Sequence, residues 1–361
     1  MNDTRNRFFC LCMSPAIDAT VTLPRAPKGE GEIFKDVAEE ENVGGKAVNV
    51  ARWLAIRGAR VACGGLLGED NDRPFVKELA KYAIEDRFVR VPGATRRNEM
   101  IVWPGGSIKL NRAAFPGLGN GERGTGNGEW GTGNGLFEVV MSQLTQDHLP
   151  SRQSNPSRQS NPYDAEAPGV AILSGSLPSA APRDFYARTV ARLKAQGWIV
   201  VLDASGEPMR LALESAPDLI KPNAEECEAL VGFIPKTAEE FVRATALLRE
   251  KSAHVIISDG GAGAWFDGAF VAAPEVDVVD TTAAGDTLLA EYCWRVFGAG
   301  DMSRVEHVER VEGEGSVVFA RDAAEWAVAA GSAACTMPGG APPSSGVVEA
   351  LKKFATFTNK L

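Results

Sequence analysis

Short apolar runs alternate along this chain with longer stretches whose apolar residues recur at helical spacing. The runs are Phe8–Met13, Val61–Leu67, Val170–Leu173, Ile199–Leu202 and Val255–Ser258. Each is too short for a core helix, and together they predict buried strands. Val50, Trp53 and Leu54 repeat at helical spacing after Gly44-Gly45, and Phe75–Ala83, Leu136–Leu149, Pro182–Ala195 and the alanine-rich Asp322–Ala334 predict further helices. Strand followed by helix, repeated, predicts an α/β fold with a mostly parallel sheet covered on both faces. Two stretches break the pattern. Val21–Val43 alternates irregularly around Pro24, Pro27, Gly29 and Gly31, while Thr95–Val102 turns through Pro104-Gly105-Gly106 into Ser107–Asn111. They predict a short β-excursion and a hairpin.

Ligands of open α/β sheets gather at the carboxyl ends of the strands, which makes polar residues there the candidates. The richest stretch is Asp280-Thr281-Thr282-Ala283-Ala284-Gly285-Asp286. The β-branched run Val276–Val279 predicts a strand before it, and Thr287-Leu288-Leu289-Ala290 a helix after it. A small-residue turn at a helix start aims backbone N–H groups outward at the positive end of the helix dipole. Ala283, Ala284 and Gly285 would then surround an anion, with Asp286 beside it as a base. An Asp at a helix start can equally serve as a plain cap. Asp18, just past Ser14-Pro15-Ala16-Ile17, is placed as a substrate contact or a turn residue. Gly44 and Gly45 let backbone approach a ligand, with Lys46 and Asn49 in the following helical turns. This is not a Walker A loop, because Glu40 stands where that motif requires glycine. Arg96 offers an anion a guanidinium fork, or is a solvated edge-strand charge. Asn223 and Glu226 have the spacing of a capping box.

Composition narrows the function classes. The 361 residues suffice for one large α/β domain or two smaller ones. A net charge of −9 and a pI near 5.1 leave no basic face for nonspecific nucleic-acid binding, so a small anionic substrate would need local positive charge. The six cysteines form no CxxC pair and the three histidines are scattered, which reads as buried free thiols in a reducing compartment. No apolar run reaches membrane-spanning length, and cytoplasm is the expected location. Low-complexity repeats fill the segments around 117–135 and 150–168, and 304–318 is a charged surface insert. Gly119-x-Gly121-x-x-Gly124 matches a dinucleotide fingerprint but lacks its strand-turn-helix setting.

Taken in order, Pro15–Asp18, Gly44–Arg52, Thr95–Asn98, Leu173–Pro178, Lys221–Glu226, Ser258–Ala264 and Thr281–Asp286 make the chain resemble the ribokinase-like (PfkB) carbohydrate kinases. The likeness is to the branch holding 1-phosphofructokinase and tagatose-6-phosphate kinase. It implies one domain over residues 1–361, with a three-layer, Rossmann-like sheet and a small β-lid from strands near 19–42 and 95–111. It implies ATP-dependent phosphorylation of a sugar phosphate to a hexose bisphosphate, from fructose 1-phosphate, tagatose 6-phosphate or fructose 6-phosphate. By the same resemblance Asp286 is the base and Ala283–Asp286 hold the transferring phosphoryl group. Asp18, Gly44, Gly45, Asn49 and Ser176 meet the sugar, and Lys46 and Arg96 clamp its phosphate. Lys221, Ser258, Gly260 and Gly263 belong to the nucleotide site, Asn223 and Glu226 to Mg2+, and the lid is where a homodimer would form. The chain departs from the pattern at Ala283 and Ala47, where glycine is usual, at Ser14 for Asn, at Phe34-Lys35 for Asn-Arg, and at Glu291 for a small residue. Two alternatives stay open: a kinase for a non-phosphorylated sugar or nucleoside, and a catalytically weak sugar-phosphate-binding protein.

Overall fold

A computed structural model describes residues 7–115, 134–145, 169–298 and 320–358. Most of the three inserts (117–133, 150–168 and 304–318) lie outside the described residues, whereas 134–135 open a helix.

In chain order the first half comprises β1 (Arg7–Cys12), β2 (Ala16–Thr22), β3 (Ala38–Gly44), α1 (Lys46–Ile56), β4 (Arg60–Gly68), α2 (Arg73–Lys81), β5 (Glu85–Val91), β6 (Arg97–Trp103), β7 (Gly106–Leu110) and α3 (Asn134–Thr145). The second half comprises β8 (Val170–Ser174), α4 (Phe185–Ala195), β9 (Ile199–Asp203), α5 (Gly206–Leu213), β10 (Leu219–Ile220), α6 (Cys227–Val231) and α7 (Ala238–Arg249). It continues through β11 (His254–Ser258), β12 (Gly263–Phe266), β13 (Ala269–Ala272), α8 (Ala284–Cys293), a π-helical turn at Trp294–Gly298, α9 (Arg321–Ala334), α10 (Ser345–Lys352) and β14 (Thr356–Thr358).

Among the described residues the main sheet runs β14-β13-β12-β11-β10-β9-β8-β1-β4-β5. From β11 to β5 every pairing is parallel, and β12, β13 and β14 add an antiparallel edge. Period-two alternation explains why the parallel strands read as unbroken apolar runs: each face meets a helical layer. In β1, Phe8, Cys10 and Cys12 pack with α1, α8 and α9, while Phe9 and Leu11 pack on the opposite face with α3 and α4. Full burial of each large apolar side chain contributes about 1.5–3 kcal/mol.

The second sheet, β3-β2-β6-β7, is the predicted lid. Its hairpin β6–β7 forms through the Pro-Gly-Gly turn as expected. One predicted strand is absent. Val276–Val279 is not hydrogen-bonded as a strand, and Val278 and Val279 are 62% and 61% exposed. The amides of Val279 and Asp280 instead bond the Cys335 carbonyl at the end of α9. A β-branched run marks strand propensity only where a neighbouring strand supplies pairing, and among the described residues none pairs with this one. The small residues of α9 serve helix packing: a Cβ on Gly331 would come within 3.1 Å of the Ala284 carbonyl.

Candidate active site

The carboxyl ends of the parallel strands, the N-termini of α1 and α8 and the inner face of the lid enclose an open cleft of about 500 Å³. Its lining includes Asp18, Gly45, Lys46, Asn49, Arg96, Ser176, Lys221, Asn223, Glu226, Ser258, Ala283, Gly285 and Asp286. Thus most of the residues singled out from the sequence meet in one place, although they are spread over nearly the whole chain. Gly44, Gly260, Gly263 and Ala284 lie outside the lining.

Two of those four glycine and alanine positions have structural reasons. A Cβ on Gly44 would fall 1.9 Å from Asp18 Oδ2, so this glycine makes room for the carboxylate on the neighbouring lid strand. Asn98 of β6 then donates to Asp18 Oδ1 at 2.8 Å. A Cβ on Gly263 would fall 2.1 Å from the Val271 carbonyl, so only glycine permits the β12–β13 pairing there.

The turn before α8 is built by Asp280, whose carboxylate accepts from the Thr282 amide and hydroxyl and from the Gly339 amide. Ala283 is the N-cap residue and sits in the left-handed region at φ 64, ψ 4. That conformation costs an L-residue about 1–2 kcal/mol and suits glycine, but alanine adopts it here. Ala283, Gly285 and Asp286 at the start of α8 line the cleft, and the first amides of a helix lack intrahelical acceptors, a setting that favours an anion. Replacing Ala283 with Gly should relieve the strain and, net of glycine's entropy cost, raise unfolding free energy by about 0.5–1 kcal/mol in urea titration. Turnover should stay within about twofold, because alanine already holds the required backbone; a large rise would mean the turn is mis-aimed.

Asp286 is 6% exposed. Burial, reinforced by the negative charge of Asp203, pushes its carboxyl up to about 6, against the opposing pull of Lys46, the Asn49 amide and Lys221. Asn49 Nδ2 donates to Asp286 Oδ2 at 2.8 Å, so Asn49 steadies the carboxylate in this structure. The carboxylate is therefore ionised at neutral pH yet readily protonated, which suits a general base.

Asp203, directly after the apolar run Ile199–Leu202, closes β9 at its carboxyl end. It is fully buried beneath two lysines, with Oδ1 at 3.2 Å from Lys46 Nζ and 3.4 Å from Lys221 Nζ, and Ser174 Oγ donates to Oδ2. Burial alone would raise its pKa, but the two ammonium groups outweigh that and hold it below the usual value. Lys46, correspondingly, is held above its ordinary range: desolvation opposes this, while Asp203, Asp286 and Glu226 prevail. The rule that placed Asp18, polar residues at strand ends, would have found Asp203 too.

The cations of the cleft are not equivalent. Lys46 and Lys221 face Asp203, and the Arg96 guanidinium donates to the carbonyls of Ser14, Pro15 and Arg112. Lys109, on the lid strand β7, also lines the cleft and among the described residues has no acidic or hydrogen-bonding partner. Asn111 lies beside it in the lining. Nothing in its local sequence distinguishes Lys109 from a solvated hairpin lysine; only the lid's placement does.

Asn223 and Glu226 make the reciprocal bonds of a capping box: the Glu226 amide donates to Asn223 Oδ1 at 2.7 Å and the Asn223 amide to Glu226 Oε2 at 3.0 Å. Glu226 Oε1 carries no donor among the described residues and lines the cleft side of the pair. Among the described residues no group of three or more His, Cys, Asp or Glu side chains could hold a metal. One free carboxylate oxygen fits a magnesium ion that keeps its waters and takes its other ligands from phosphates, and does not fit a closed protein cage.

Comparison with known proteins gives the arrangement its context. The pfkB family carbohydrate kinase signature matches residues 148–292. The chain is 30% identical to the 1-phosphofructokinase of Vibrio cholerae over 302 residues, 82% of this chain and 83% of that protein. It is 30% identical to the 1-phosphofructokinase of Escherichia coli K12 over 289 residues, 78% of this chain and 82% of that protein. Among solved structures, phosphofructokinase-2 of E. coli in complex with potassium superposes with a TM-score of 0.74 at 19% identity, over 96% of this chain and 98% of that one. Shared fold, ordered motifs and identity across most of both lengths agree: the chain belongs to the pfkB family of carbohydrate kinases.

Proposed function

We propose that the protein uses ATP to phosphorylate a free hydroxyl of a ketohexose monophosphate, with fructose 1-phosphate as the substrate and a hexose bisphosphate as the product. The observation that carries this reading is the pairing, in one cleft, of a poised buried carboxylate, Asp286, with the lid cation Lys109, which has no acidic partner among the described residues. The 1-phosphofructokinase relatives support the choice of sugar phosphate.

The substrate hydroxyl loses its proton to an Asp286 carboxylate oxygen as it attacks the γ-phosphorus of ATP, and the bond from that phosphorus to the β–γ bridging oxygen breaks, so that ADP leaves. Backbone N–H groups of Ala283–Asp286 take up the negative charge that develops on the transferring group. Asp18 and Asn98 hold sugar hydroxyls on the lid side. Lys109, aided by Arg96, meets the phosphate the sugar already carries. Lys221 lies over the catalytic turn, 3.4 Å from where a Gly285 Cβ would stand, and with Ser258 faces the nucleotide phosphates. Asn223 and Glu226 would hold a hydrated magnesium ion, whose chemistry is to shield the phosphate charges.

A panel of ATP-dependent assays over fructose 1-phosphate, tagatose 6-phosphate, fructose 6-phosphate, free hexoses and nucleosides tests the reading. Turnover confined to neutral sugars or nucleosides overturns the phosphosugar assignment, and calorimetric binding of sugar phosphate without turnover overturns the kinase. Lys109→Ala should raise KM for the sugar phosphate about 10- to 30-fold with a smaller change in kcat, since a charge-assisted contact made in both ground and transition states is lost. An unchanged KM would remove Lys109 from the phosphate site.

A further inference from the structure

Helices α1 and α8 lie side by side with both N-termini at the cleft, and polar links join them along one seam. At the cleft end Asn49 holds Asp286. One and two helical turns deeper on α1, Trp53 and Arg57 converge on Glu291 of α8: Trp53 Nε1 donates to Glu291 Oε2 at 2.8 Å, and Arg57 Nε lies 3.2 Å from the same oxygen. Arg295 Nε donates to the other oxygen at 2.7 Å. Asn49 and Trp53 are four residues apart and share one face of α1, and Arg57, four further on, caps its end.

Glu291 is wholly buried. Burying a carboxylate carries a desolvation cost of several kcal/mol, and an apolar residue would fill a helix–helix seam without it. What two directional donors, Trp53 and Arg295, supply with the Arg57 charge beside them, and an apolar contact does not, is a fixed axial and rotational setting. The local geometry calls for such a setting. Ala283 is strained at the start of the same helix, and strained residues persist only where their surroundings over-determine them. The π-helical turn that follows α8 brings Arg295 back onto Glu291, and Arg57 and Arg295 stack over Trp294 and Trp326 at 4.2 and 4.0 Å.

We propose that Glu291 is a positioning residue for phosphoryl transfer: by gripping Trp53 and Arg57 it fixes the register of α8 against α1 and so keeps Asp286 on the Asn49 amide. The inference rests on Asp286 being the base. The groups facing Asp286 are Lys46 and Asn49 from α1, Asp203 from β9 and Lys221 after β10, and those facing Glu291 are Arg57 and Arg295.

Glu291→Gln tests it. Losing the Asn49 bond removes a contact that favours the ionised base, so the acid limb of kcat should move to higher pH by about half a unit. At pH 7 kcat should fall about fivefold, with KM for ATP and sugar phosphate within about twofold of wild type. Combined with Asn49→Ala, the limb shift should not add. A lowered Tm with a wild-type limb and kcat, or an additive double variant, overturns the proposal. If Glu291→Gln does not fold, Arg57→Gln removes the cation paired with Glu291 at the half-buried edge and should shift the limb the same way by less; an unmoved limb overturns the proposal. Should wild-type protein turn over no sugar phosphate, the functional reading falls first, and the Asp286 titration midpoint by carboxyl-carbon NMR in both variants still decides the positioning role.

Discussion

Asp286→Asn should abolish nearly all turnover, lowering kcat about 10³- to 10⁴-fold, because the amide fills the same space and can accept no proton. Calorimetry should show ATP and sugar phosphate still binding, since the backbone of the turn and the cleft cations are untouched. In the wild type the sign of the pH effect follows from protonation of the base. The carboxyl titrates near 6, so kcat should rise with pH through that value and level off above it. The same raised value implies that ionised Asp286 opposes folding above its ordinary 3.8, an effect that grows until the pH passes about 6. The Asn variant should therefore be more stable than wild type at pH 7 by about 1–3 kcal/mol in denaturant titration, a direct exchange of stability for activity. Retained turnover would rule out Asp286 as the base, and a destabilised variant would contradict the burial argument.

Asp203→Asn should produce the largest loss of stability, about 3–5 kcal/mol at pH 7 in urea titration. The amide cannot neutralise Lys221, whose side chain is only 6% exposed, or Lys46 beside it. The sign can be checked by pH. A carboxyl whose native pKa is lowered stabilises the fold above its unfolded value, 3.8, and that contribution disappears as the pH falls through the native value. The difference between wild type and variant should accordingly be full at neutral pH and shrink under strong acid. A difference below about 1 kcal/mol at pH 7 would mean that Lys221 finds another partner or water, and would remove Asp203 as the organiser of the two lysines.

Most of the architecture was legible because a parallel sheet buried on both faces writes itself as apolar runs, and because glycine marks backbone that no side chain can share. Gly44 and Gly45 illustrate this: one clears Asp18, and the other starts α1 at φ 121, where a Cβ would crowd Cys12 Sγ at 2.9 Å. Val276–Val279 misled because propensity is local and pairing is not. Asn49 and Arg96 line the cleft as expected from the sequence, and there Asn49 donates to Asp286 while the Arg96 guanidinium donates to the Ser14, Pro15 and Arg112 carbonyls; sequence spacing brings a residue to a cleft without saying which neighbour it will choose. Lys109 depended on long-range placement of the lid over the cleft, whereas Asp203 stood at a strand end where the local rule already applied. The departure at Glu291 was visible, but its meaning was not, because Trp53 and Arg57 lie more than 230 positions away in the chain.

The lid is continuous with the helix that carries Lys46 and Asn49. Strand β3 ends at Gly44 and α1 begins at Lys46, with Gly45 alone between them. Such a joint leaves little slack to absorb movement. The end of β3 is thus tied to the first turn of α1 without a loop to absorb a shift, and the Asn49 amide ties that turn to Asp286. In mechanical terms the second sheet and the Asn49 support of Asp286 are two ends of one lever.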